Sequence, residues 1–364
     1  MLQSRVRKTE QSAMIDILFV LAVLTFMSFF YYGARAIIVV VISILASVAT
    51  DVICIRLRKK KYNFKDLSAI VSGAVLALMM PASVPYGILI LTDIIAIVIG
   101  KQIFGGRGKN IFNCVAVGFI FSSYCWKDAI LMYPKPTEHL ELISHVTNTL
   151  YPSLTQTLGI ATTPAISNTD IMLGNFIGPM GTTHIIIILV CAIVLMLRRS
   201  ISALTFCSGL GTVLIFSYLL PKFGNSAMSS VYYELVSGMM VYGLIFLAGD
   251  YYTGPKTRSS RFLYGVLIGI LTITFRHIGN VENPIVYAVL VANPLSIPLD
   301  RSTLSFSKIS REIIDKIKAF FRDKMKHMIK VKTVDAAIEA NELAKNISTK
   351  DVAAEQSDDD VNSK

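Results

Sequence analysis

Apolar residues in this chain come in long runs, neither alternating as in a half-buried strand nor recurring as the one-sided stripe of a surface helix. The runs fall at 14–32, 34–55, 67–80, 86–104 and 111–125, and again at 183–197, 201–220, 235–252, 262–275 and 284–299. Roughly 20 residues cross the hydrocarbon of a bilayer, so the shorter runs predict tilted or broken spans. Helices are the expected form. In lipid each backbone N–H and C=O must be satisfied within its own segment, and the runs lack the two-residue period of a membrane barrel.

The polar linkers set the orientation. Arg5, Arg7 and Lys8 precede the first run, and Arg56, Arg58, Lys59, Lys60, Lys61 and Lys65 follow the second. The same side collects Arg107 and Lys109, then Arg198 and Arg199, then Lys256, Arg258 and Arg261, while the alternate linkers are nearly free of basic residues. Basic linkers stay in the cytoplasm, so the pattern predicts a cell (inner or cytoplasmic) membrane protein with both termini cytoplasmic. The first run is too long for a signal-peptide core and reads as the first span.

About five runs precede a long polar stretch and about five follow it, and an odd number per half makes any pairing of halves an inverted one. The predicted fold is therefore all-α and polytopic, with about ten transmembrane helices in two inverted five-helix halves. Its expected divisions are 1–125 for the first half, 126–181 for an extracytoplasmic loop, 182–300 for the second half, and 301–364 for a cytoplasmic tail. Ser72-Gly73 and Ser237-Gly238 open corresponding runs in the two halves. In the tail Ile309, Ile313, Ile317, Phe320, Phe321, Met328 and Ile329 recur at helical spacing among Lys and Arg. That pattern predicts an amphipathic helix on the membrane surface or against a partner, with a disordered end after about residue 346.

Composition agrees with the patterning: 53% of the 364 residues are hydrophobic and 16% charged. The net charge of +11 is accounted for by a cytoplasmic face meeting anionic lipid, so nucleic acid is not an expected partner. The five cysteines have no CxxC pair and the five histidines no ligand spacing, so neither a metal site nor an iron–sulfur cluster held by this chain alone is expected. Gly105, Gly106, Gly108 and Lys109 lack the spacing and the following hydroxyl of a phosphate loop. Asp93 stands out, because an aspartate in mid-span costs roughly 2.5–3.5 kcal/mol on insertion scales. It is the candidate for an ion pathway, with a hydrogen-bonded helix contact as the plainer reading.

Four stretches carry a family resemblance: KQIFGGRGKNIFN at 101–113, LGNFIGPMGTT at 173–183, FLAGDYYTGP at 246–255, and 264–300, which holds Arg276 and ends in YAVLVANPLSIPLD. Together they resemble the RnfD subunit of the Rnf-type ion-translocating electron transport complex and the NqrB subunit of the sodium-translocating NADH:quinone oxidoreductase. Cys114 stands where the family has proline, and Thr182 where it has glutamate. The resemblance implies an FMN joined through a phosphoester to a threonine ahead of the second stretch, where this chain has IATTPAI at 160–166. Aligning Thr-Pro gives Thr163 as the acceptor, and aligning Ala-Thr gives Thr162. It also implies a second flavin, riboflavin or another, along with the other complex subunits and a flavin transferase as partners. The implied function is to relay electrons between ferredoxin and NAD⁺ with Na⁺ or H⁺ movement, as one component and not a complete enzyme. The alternative is a solute channel or transporter of similar architecture without flavin.

Overall fold

The computed structural model describes residues 10–60, 63, 66–138, 140–142, 149–160, 166–224, 226–250 and 252–304. Thr162, Thr163 and the basic amphipathic segment of the tail lie outside them. Contacts gather Met1–Thr303 into one compact unit; of a second unit, Leu304–Lys364, only Leu304 is described.

The chain is mostly helical. Helices α1 (Glu10–Tyr32) and α2 (Ala34–Leu57) are long and apolar enough to cross a membrane. At 1.5 Å per residue each is about 35 Å long. Their surfaces are reversed relative to a soluble bundle: Phe19, Phe26, Phe30, Leu45 and Leu57 are exposed, whereas Asp16, Ser28, Ser43, Ser47 and Asp51 are buried. Large apolar side chains facing outward and polar ones inward suit a hydrocarbon solvent. Next come α3 (Ser68–Met79), α4 (Tyr86–Ile95), which continues as a π-helical turn Ala96–Gln102, and α5 (Cys114–Cys125). Asn113 caps α5, its side chain accepting from Val115 N at 3.0 Å and Ala116 N at 3.2 Å.

The connecting stretch holds α6 (Lys127–Ile130), a short antiparallel pair of β1 (Met132–Tyr133) and β2 (Tyr151–Pro152), then α7 (Leu154–Ile160) and α8 (Asn168–Leu173). The fold is thus mostly, not wholly, α. After it follow α9 (Ile185–Leu197), α10 (Ala203–Leu219), α11 (Ala227–Val236), α12 (Met240–Phe246), α13 (Arg258–His277) and α14 (Pro284–Ala292). The most extensive helix pairing, α10 on α13, closes along Gly209, Thr212, Gly265 and Gly269, small residues that let backbones approach.

Three runs depart from single α-helices, that at 284–299 by passing from α14 into a 3₁₀ turn at Asn293–Leu295. The run at 86–104 widens into the π turn where Lys101 and Gln102 both reach Asp51. The run at 235–252 is broken: Gly238 and Met239 take φ of 66° and 56°, and only Met240–Phe246 is helical beyond them. Arg276 lies against the break: its Nη2 would be 2.1 Å from a Cβ at position 238, so the buried guanidinium occupies the space a side chain would need, and Nη2 donates to the Ser237 carbonyl.

The linkers sort to the two ends of α1. Near Glu10, Arg107 pairs with both Glu10 and Asp66, and Arg58 donates to Gln102. Near Tyr32, the Tyr31 hydroxyl donates to Leu173 O, and the Arg35 guanidinium to Ala82 O and Val84 O. The basic linkers Arg56–Arg58 and Arg107 therefore meet at one end, and the long polar stretch packs at the other.

Candidate functional site

At the polar end a cavity of about 670 Å³ opens between α5, α6, α7 and the α13–α14 turn. Tyr124, Phe223 and Tyr287 give it aromatic walls, and Lys127 and Lys222 bring positive charge. The rings of Tyr124 and Tyr287 meet edge-on with centroids 6.3 Å apart. The volume lies in the roughly 300–1,000 Å³ range of cofactor and ligand pockets. Ile160, the last residue of α7, lies on the cavity wall, and the next residues along the chain lead to Thr162 and Thr163.

The deep wall is ionic. Arg276, 1% exposed, pairs with Glu234, also 1% exposed. The same Nη1 reaches Ser237 Oγ at 3.0 Å and Nη2 reaches Ser237 O at 3.1 Å, while Nε has no partner among the described residues. The Lys222 ammonium donates to Arg276 O and to Asn280 Oδ1, and its partial burial lowers its affinity for a proton. Glu282 Oε2 accepts from Gln156 Nε2 at 2.6 Å, whereas Oε1 has no partner among the described residues. Burial pushes the Glu282 carboxyl up to about 6, against the polar neighbours Ser153 and Gln156 that pull it down. Sequence reading singled out neither Lys222 nor Glu282. Both are polar residues in linkers between apolar runs, and only the fold brings them together.

The sequence motifs act mainly as fasteners. Lys101 Nζ donates to Asp51 Oδ2 at 3.1 Å and to Ser68 Oγ at 2.8 Å, with Gln102 Nε2 on Asp51 Oδ1 at 2.6 Å. Asp250 accepts from Thr253 Oγ1 at 2.9 Å, and Asp300 accepts the backbone N–H groups of Lys256 and Thr257 at 2.8 and 3.0 Å. Oriented so that its Nδ2 faces Tyr264 Oη, Asn293 accepts the Asn113 N–H at 2.7 Å, tying the first motif to the fourth. The second motif docks at the polar end, where Gly181 N donates to Leu78 O in the last turn of α3 and Met180 N to Met80 O at its cap. A smaller cleft of about 80 Å³, lined by Ser68, Lys101, Asn113 and Asp250, lies at the basic end and is too small for a flavin as it stands.

Asp93 lies apart from both. It is fully buried on α4, with Oδ1 accepting from Ser43 Oγ at 2.9 Å and Ser47 Oγ at 2.8 Å. Among the described residues, no group of three or more His, Cys, Asp and Glu is placed to hold a metal ion, and the cysteines are free thiols.

The sequence profile described as the NQR2, RnfD, RnfE family matches residues 3–305. The D subunit of an ion-translocating oxidoreductase complex from Actinobacillus succinogenes is 28% identical over 304 residues, 74% of this chain and 85% of its own length. The D subunit of the Na⁺-translocating ferredoxin:NAD⁺ oxidoreductase complex of Acetobacterium woodii is 27% identical over 286 residues, 75% of this chain and 83% of its own. Its counterpart in a proton-translocating complex of Clostridium ljungdahlii is 25% identical over 281 residues, 75% and 84% of the two chains.

Proposed function

The chain belongs to the NQR2, RnfD, RnfE family, and from that premise we propose that it is the RnfD-type membrane subunit of an ion-translocating ferredoxin:NAD⁺ oxidoreductase complex, carrying covalent FMN. Matches to subunits so named over some three quarters of this chain support the assembly. The observation that carries the flavin is the cavity of about 670 Å³, with aromatic walls and with Lys127 and Lys222 beside Asp128 and Glu282, reached by α7 just before Thr162 and Thr163. Its residues fit the group: Tyr124, Phe223 and Tyr287 offer faces for a planar ring system, and Lys127 and Lys222 offer charge to a phosphodiester. Bound there through Thr163, or Thr162, the flavin would supply the electron transfer. The protein contributes position, low dielectric and the fixed charges of Arg276 and Glu234.

The architecture consistent with this role is about ten spans in two inverted halves, in the cell membrane, with the basic linkers and both termini in the cytoplasm. Two correspondences support it. Asn113 precedes α5 and Asn283 precedes α14, the helix that opens the last apolar run of each half. Lys101, closing the α4 segment, reaches Ser68 where α3 starts, and Arg276, near the close of α13, reaches Ser237 where α11 gives way to α12. The first contact lies at the basic end and the second at the polar end, as inversion requires. The other complex subunits, a flavin transferase and membrane lipid are the partners this reading needs.

The test is to express the chain with a flavin transferase, denature it, and look for in-gel fluorescence and an FMN mass increment. Loss of both in Thr163→Ala, or failing that in Thr162→Ala, is the expected result. A chain unmodified at both threonines when its partner subunits are present would overturn the flavin assignment and favour the channel or transporter reading.

A further inference from the structure

Asp93 is the buried carboxylate that the flavin cavity and the end-of-bundle fasteners leave unused. Its oxygen contacts outnumber the protons available to them. Ser43 Oγ lies 2.9 Å from Asp93 Oδ1 and 2.8 Å from Gly73 O, and Ser47 Oγ lies 2.8 Å from the same Oδ1. These three oxygen–oxygen contacts share two hydroxyl protons, because a serine donates once. Asp93 Oδ2 has no partner among the described residues. The three contacts are therefore one proton short, and an ionised Asp93 would hold its charge there against two hydroxyls alone.

Among the described residues of the packed helices, no fixed cation makes up the difference. Helices α3 and α5, packed against α4, carry no charged residue; their titratable side chains are Cys114, Tyr124 and Cys125. On α2, Arg35 is engaged by the Ala82 and Val84 carbonyls, Asp51 by Lys101 and Gln102, and Cys54 and Arg56 lie beyond Asp51 in the last turns. On α4 itself and the π turn the titratable groups are Tyr86 and Lys101, each about two turns from Asp93. The three helices meet closely because position 73 has no side chain: a Cβ there would lie 2.8 Å from Ser43 O and 3.0 Å from Ser47 Oγ.

We propose that Asp93, Ser43, Ser47 and the Gly73 carbonyl form a binding site for one monovalent cation, a proton or Na⁺. The proposal deepens the ion-coupling part of the proposed function and rests on that reading for its role, although the site itself can be tested without it. A proton completes the cluster as a carboxylic acid O–H, and Na⁺ completes it with oxygen ligands alone. Relatives named for each ion make both occupants relevant.

The experiment uses the full chain in lipid vesicles, treated with dicyclohexylcarbodiimide, which adds to a protonated buried carboxyl to give a stable acylurea, and mapped by peptide mass spectrometry. Labelling at Asp93, lost through a single transition as pH rises and absent in Asp93→Asn, is the expected result. If Na⁺ is the occupant, NaCl but not KCl protects, and the transition moves by about one pH unit per tenfold Na⁺ above its dissociation constant. If the proton is the occupant, NaCl and KCl act alike. Ser47→Ala, which keeps the carboxylate, raises the half-protecting Na⁺ concentration about tenfold in the first case and shifts the pH midpoint upward in the second. Asp93 unlabelled at every pH, or labelled equally regardless of pH and Na⁺, overturns the site. Failure here leaves FMN attachment untouched. An unflavinylated chain whose Asp93 responds would keep the site and move it to the transporter reading.

Discussion

Replacing Glu234 by Gln should be among the most damaging conservative changes in the described chain. The substitution keeps shape and removes charge, leaving the Arg276 guanidinium, 1% exposed, without its counter-ion. Breaking a buried pair by neutralising one partner costs about 3–5 kcal/mol, since the other charge stays in a medium that solvates it poorly. Three contacts survive, to Glu234 O at 3.2 Å, Ser237 Oγ at 3.0 Å and Ser237 O at 3.1 Å, and they bring the expected loss to about 3 kcal/mol, the low end of that range. For a unit of about 300 residues that is a fall of roughly 5 °C in melting temperature. The exposed pair Arg107–Glu10, with side chains 26% and 46% accessible, provides the internal comparison. Glu10→Gln should cost less than about 1 kcal/mol. Replacing both partners, Glu234→Leu with Arg276→Met, should recover most of the loss, because it removes the desolvated charge along with its counter-ion. The assay is thermal unfolding of the purified chain in lipid, all variants at one scan rate. Glu234→Gln melting within a degree of wild type, or no lower than Glu10→Gln, would refute the claim that this pair holds the α11–α12 break against α13.

Three further outcomes follow from particular contacts. Glu282 binds its proton more tightly folded, at about 6, than at its ordinary 4.5, so its contribution to stability is fully present below 4.5 and is lost as pH rises to about 6. The change is about 2 kcal/mol, and a melting-temperature series over that window should lose this slope in Glu282→Gln. Asn113→Ala removes a cap accepting from two N–H groups and should destabilise by about 1–2 kcal/mol in the same assay, more than alanine at an uncapped helix start such as Leu67. Gly73→Ala must push α3 away from α2 by several tenths of an ångström, and cysteine cross-linking between the two helices should fall in yield; an unchanged yield would show that the close approach is not needed.

The sequence reading anticipated the helical elements better than their interruptions. Runs at 14–32, 34–55 and 284–299 begin within a few residues of α1, α2 and α14 because lipid-facing apolar length is a local property of the chain. The break at Ser237–Met239 was invisible, since the group that lies against it is Arg276, far along the chain, and the dipeptide Ser237-Gly238 looks the same whether or not a guanidinium lies against it. The short β pair within 126–181 is decided by two residues on each strand, too few to carry a period.

What the residue order determined by itself is the apolar content, the alternation of basic and uncharged linkers, the four motifs and the anomaly of Asp93, all of which depend on composition and spacing along one dimension. What the tertiary structure decided is which polar groups meet. It set Lys222, Glu282 and the aromatic rings around one cavity, gave Asp51 to Lys101 while leaving Asp93 to two serines, and turned the motifs into ties at the ends of the bundle. The reason is physical: membrane insertion follows from transfer energies summed over a segment, whereas a buried charge is tolerated only through partners that distant segments supply.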